Sequence, residues 1–102
     1  MELKPGSRWK SAVCEAQMVV VRPPSTLGVL QCGGADVLPL TDPATPGGAV
    51  DEAHANGVLI GKRYTDEASG IEVLGAKPGK GSLAFDGRAL TLKEAKPLPA
   101  SD

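Results

Sequence analysis

Apolar residues in this chain come in short runs and two-residue alternations, with no sustained helical period. Gln17 to Arg22 is a continuous apolar run with polar ends, and Pro23-Pro24 stops it. Residues 28–32 and 36–40 form two more short runs, parted by Gly33-Gly34. Residues 58–65 and 71–74 flank a turn-like segment at 66–70. The sharpest signal lies at 82–92, where Asp86-Gly87 separates two alternating stretches. Asp-Gly in that setting predicts a two-residue type I′ hairpin, because both turn positions need positive φ. Leu83 and Phe85 should then share one face of their strand, and Leu90 and Leu92 one face of the partner. A second hairpin is expected to join residues 17–22 to 28–32 through 23–27. The helical signal is confined to 51–55, a single turn ended by Asn56-Gly57. The expected fold is mainly β with little helix: a small antiparallel sheet built of hairpins, or an open barrel or sandwich.

The chain divides into four stretches. Residues 1–41 are β-rich and hold both cysteines. Residues 42–57 carry two Pro, three Gly and one large aliphatic, Val50, so they read as a linker or exposed loop. Residues 58–96 are again strand-like, and 97–102 should be an extended tail, since its prolines deny it ladder and helix bonds. All of this fits one compact domain of 102 residues. Its only aromatics are Trp9, Tyr64 and Phe85, so the core must be thin and aliphatic. Modest stability, or stability supplied by dimerisation, is expected. Trp9 is expected to cover one end of that core.

A net charge of -1 argues against a strong pull toward nucleic acid or an anionic membrane. The longest purely aliphatic run, 18–21, is far short of the roughly 20 residues that span a bilayer. No apolar stretch at the N-terminus suggests a signal peptide, so a cytoplasmic location with reduced thiols is expected.

Two cysteines, Cys14 and Cys32, are too few for a disulfide scaffold or for a four-thiolate metal site in one chain. The order around them is a Cys knuckle, a Val-rich strand, a turn, then Leu30-Gln31-Cys32-Gly33 and a small apolar residue. Residues 10–40 thus resemble desulforedoxin and the N-terminal domain of desulfoferrodoxin, rubredoxin-like modules that hold iron or zinc with four cysteines. The resemblance puts Cys14 at the first ligand position and Cys32 at the third. Gln17 stands in place of the second and Gly33 in place of the fourth, so half of the ligand set is missing. Three readings follow for the pair: two ordinary buried thiols, a disulfide, or zinc or iron shared between two chains of a symmetric dimer. Lys10 is near in sequence and would lower the Cys14 pKa if it lay near in space.

Other motifs are weaker. Gly75-Ala76-Lys77-Pro78-Gly79-Lys80-Gly81-Ser82 suggests a phosphate loop, but only three residues part Gly75 from Gly79, and Gly81 replaces the metal-binding hydroxyl. It reads as a flexible cationic turn. Lys62, Arg63, Lys77 and Lys80 are candidate anion contacts, provided the two basic turns share a face. Lys62-Arg63-Tyr64 otherwise reads as a charged strand edge that resists edge pairing. His54 sits beside Asp51 and Glu52 in the linker and reads as an exposed loop residue.

No complete catalytic set is present, so no enzyme activity is expected, beyond a subunit's role beside a catalytic partner. The first reading is a small non-catalytic accessory or interaction protein, acting as a homodimer or with a protein partner and without a cofactor. The alternative is a rubredoxin-like metal or thiol-redox module using Cys14 and Cys32. A third is a small protein that binds an anionic ligand.

Overall fold

The computed structural model describes residues 3–44 and 47–93. Among these residues there are ten strands: β1 (Arg8–Lys10), β2 (Gln17–Arg22), β3 (Leu30–Cys32), β4 (Ala35–Asp36), β5 (Leu38–Pro39), β6 (Arg63–Thr65), β7 (Glu72–Lys77), β8 (Leu83–Phe85), β9 (Arg88–Ala89) and β10 (Thr91–Lys93). The one helical piece among the described residues is a 3₁₀ turn, Glu52–His54, capped by the Asp51 carboxylate, which accepts from the Ala53 amide at 3.0 Å. The expected tail at 97–102 lies outside the described residues. No helix among the described residues is long and apolar enough to cross a membrane.

The strands form two antiparallel sheets that do not close into a barrel. One has the order β10-β6-β7-β2-β1-β5 and the other β4-β3-β8-β9. The burial of β2 alternates although its sequence is a continuous apolar run: Met18 and Val20 are buried, while Val21 and Arg22 at its end are exposed. Val20 pairs with Val73 of β7, and Met18 faces Gly75. The second sheet contributes Leu30, Cys32, Leu83 and Phe85, all within 2 % of full burial. One buried cluster joins both groups, with Trp9 and Tyr64 at its margin.

Two tight turns build the second sheet. Asp86 and Gly87 have φ of 52° and 83°, and Phe85 pairs with Arg88, as the Asp-Gly signal requires. Gly33 and Gly34 have φ of 67° and 88°, and Cys32 pairs with Ala35. Beyond each turn the chain changes sheets at one residue. Val37 donates its amide to the Leu30 carbonyl, and then β5 joins β1. Leu90 donates to the Leu83 carbonyl, and then β10 joins β6.

These crossings correct two expectations. β2 does not pair with β3. Both of its edges are taken, by β1 and β7. Proline at 23 and 24 withholds two amides and keeps the chain extended, so it passes to the other sheet instead of turning back. Leu92 does not pair beside the 83–85 strand as a single Asp-Gly hairpin over 82–92 would place it. Its strand has left for the first sheet, where it is 41 % exposed. A third correction concerns Lys62-Arg63-Tyr64. β6 is interior to its sheet, between β10 and β7, and Tyr64 is buried with its hydroxyl accepting from the Leu59 amide at 2.9 Å.

Two buried carboxylates fasten the sheets. Asp66 closes the β6–β7 turn by accepting from the Ser69 amide and hydroxyl, and it pairs with Arg88 of the second sheet at 3.0 Å. Glu72 of β7 takes Arg63 at 3.3 Å and Lys93 at 2.7 Å, bracing three adjacent strands. Arg88 above all, with Ser69, holds the Asp66 carboxyl below its usual range against the opposing cost of burial. Lys93 first, then Arg63 and Arg22, does the same for Glu72. Both folded values lie below the unfolded ones, so this contribution is complete above about pH 5 and is lost as the pH falls through the folded values. The thermal unfolding midpoint should therefore fall steeply below about pH 4. Asp66→Asn should lower it near neutrality and flatten that acid slope. An unchanged slope would show that Asp66 plays no part.

Candidate functional site

The β1–β2 connection spans residues 11–16, since Lys10 pairs with Gln17. Ser11 organises it. Its amide donates to the Ala16 carbonyl at 2.9 Å, and its Oγ accepts the amides of Val13 and Cys14, each at 3.1 Å. This hydroxyl-centred turn presents Cys14 at the loop tip, half-buried, while Cys32 ends β3 immediately before the Gly33-Gly34 turn and is 0 % exposed.

The two thiols lie close enough to shift each other's titration, and the Ser11 hydroxyl influences both. Both are free thiols. Burial works against a Cys14 thiolate. The Ser11 hydroxyl, the amides of Ala16 and Gly81, and the Cys32 thiol together outweigh it and bring Cys14 below the ordinary thiol value. Cys32 moves the other way. Burial foremost, and then the negative charge of Cys14, push it up to about 12. The pair is thus polarised: one accessible sulfur favoured as thiolate, and one enclosed sulfur kept as thiol.

The glycine segment 75–82 is the third wall of this site, not a loose cationic turn. Gly79 exchanges hydrogen bonds with Val58, and a Cβ on it would stand 2.5 Å from the Ala16 amide nitrogen. A Cβ on Gly81 would stand 2.8 Å from the Gly33 backbone and 3.2 Å from Cys32 Sγ. Only glycine lets this strand approach closely enough for an amide to reach Cys14. The linker lies against the same site. Its Asp51 amide donates to the Gly33 carbonyl at 3.0 Å, and Gly47 donates to Ala12 at 3.0 Å.

Two recesses meet at Cys14 and Glu15. One, of about 700 Å³, runs between residues 48–50 and 55–57 and ends at Lys80. The other, of about 310 Å³, passes Lys10, Ser11 and Lys77. Lys80 lines the first recess and Lys77 the second. Arg63 is held by Glu72, and Lys62 bonds through its carbonyl to Gly75 on β7. The Lys10 ammonium is turned to the carbonyls of Asp42 and Ala44, and Lys10 is not among the groups that lower Cys14. His54 acts through its backbone, its carbonyl accepting the Ser82 amide at 2.8 Å.

Among the described residues, no group of three or more His, Cys, Asp and Glu side chains is placed to hold a metal ion. A four-thiolate site shared between two chains needs both sulfurs at the surface, and Cys32 is enclosed. The pair as folded does not fit that use.

The sequence pointed to the two cysteines and missed their neighbours. Ser11 stands three residues before Cys14, the spacing of a Cys-x-x-Cys knuckle with serine at its first position. That spacing was the available signal for Ser11. Nothing local marked Gly81, which reaches the site only through the β7–β8 return. Comparison with protein-family models, curated proteins and solved structures finds no match for the chain.

Proposed function

We propose that the protein is a thiol-redox module in which Cys14 and Cys32 cycle between dithiol and disulfide. The observation that carries this reading is the adjacency of two oppositely perturbed thiols, one accessible and one enclosed. The Cys14 thiolate attacks a disulfide RS–SR, forming a mixed disulfide and releasing RS⁻. Cys14 then no longer carries the charge that helps to hold Cys32 protonated. Cys32 gives its proton to the departing thiolate, attacks Cys14 Sγ, closes the intramolecular disulfide and releases the second RS⁻, which solvent protonates. The protein loses two electrons and RS–SR gains them. This takes up the alternative drawn from the sequence in place of the first reading, a non-catalytic accessory protein.

Equilibration of the reduced protein in buffers of increasing oxidised-to-reduced dithiothreitol tests it. The intact mass should fall reversibly by two hydrogens, with a peptide map linking Cys14 to Cys32. Folded protein that keeps two free thiols at every ratio, or that carries a bound metal on them as isolated, would overturn the reading.

A further inference from the structure

We infer that the 700 Å³ recess beside Cys14 is a subsite for a low-molecular-weight disulfide with amino-acid-like ends, one carboxylate and one ammonium. This rests on the dithiol reading and names the substrate class of the same site. The recess falls within the size range of small-molecule sites. Cys14 lies in its lining and is half-buried, so a small disulfide can reach the sulfur more easily than one embedded in a folded protein.

The walls are largely backbone and small side chains: Gly48, Ala49, Ala55, Gly57 and Gly79. They leave room close to the sulfur and offer few side-chain contacts of their own. The formal charges in the lining are Glu15, next to Cys14, and Lys80, both exposed. A ligand whose disulfide meets Cys14 can place a carboxylate at Lys80 and an ammonium at Glu15. A neutral disulfide gains neither contact. In the reaction the protein dithiol gives two electrons to the ligand, and two molecules of the small thiol leave.

The test follows thiol release from three disulfides by the reduced protein: cystine, bis(2-hydroxyethyl) disulfide and insulin. Lys80→Ala and Glu15→Gln alter exposed side chains, so folding should be retained. Each should slow oxidation by cystine about fivefold, the upper range for one exposed charge contact, through a raised half-saturating concentration. Neither should change the rate with bis(2-hydroxyethyl) disulfide by more than about twofold. Equal rates for wild type and variants on cystine would overturn the subsite. Faster oxidation per disulfide by insulin than by cystine would overturn it too, in favour of a protein substrate. Failure of all three disulfides to oxidise the pair would instead remove the dithiol reading on which the subsite rests.

Discussion

Closing the Cys14–Cys32 disulfide should raise the unfolding temperature by roughly 12–24 °C. A bridge across a loop of this length stabilises by about 3 kcal/mol when the native state accepts it without strain. For a domain of this size each kcal/mol moves the midpoint by about 4–8 °C. The sulfurs are near enough to shift each other's titration, on a loop tip fixed by Ser11 and a strand end fixed by the Gly33-Gly34 turn. Little rearrangement is therefore needed to join them. The comparison is between reduced and oxidised wild type, with the double variant Cys14→Ser/Cys32→Ser as the form that ignores oxidant. An unchanged or lowered midpoint in fully oxidised protein would contradict the native adjacency of the two thiols.

Phe85→Ala should cost about 3–5 kcal/mol, a large part of the 5–15 kcal/mol typical of a whole domain. Phe85 is the chain's one phenylalanine and is fully buried. Its ring fills the space beside Gly28, where an added Cβ would stand 2.5 Å from the ring tip. Gly28 has no side chain with which to fill the resulting cavity, so relaxation is limited. Leu30 faces Phe85 across the ladder, and Cys32 faces Leu83 in the same register, so loosening β8 also loosens the enclosed thiol. Urea unfolding followed by the fluorescence of Trp9, the single tryptophan, reads the loss. A cost below about 1 kcal/mol would mean that the second sheet is not packed as described.

Local signals in the sequence carried most of the β architecture. The apolar run at 17–22 became β2, with Met18 and Val20 buried, and Asp86-Gly87 and Gly33-Gly34 became the tight turns their φ freedom permits. The failures were in partner choice. Nothing local to residues 17–32 shows that β2 is flanked by β1 and β7, or that Val37 and Leu90 are where strands change sheets. The hairpin over 82–92 is cut short for the same reason: period-two patterning gives a face, but not that Thr91–Lys93 joins the other sheet. At the site, two cysteines were visible as residues and their relation was not. It depends on Ser11 holding one loop tip, on β3 ending at Cys32, and on Gly79 and Gly81 letting a strand from distant sequence close in. The glycine segment looked like a phosphate loop because close backbone approach selects glycine whether the thing approached is a phosphate or another strand.

The division of labour between the two sulfurs is most directly tested by Cys32→Ser treated with bis(2-hydroxyethyl) disulfide, followed by intact mass. The enclosed thiol is then absent and the attacking one remains. The account predicts one stable adduct, a single mixed disulfide on Cys14, where wild type under the same conditions passes through that adduct and ends two hydrogens lighter. Wild type that also stops at a stable mixed disulfide, or adduct formation on Cys32 in Cys14→Ser at the rate seen for Cys14, would contradict it.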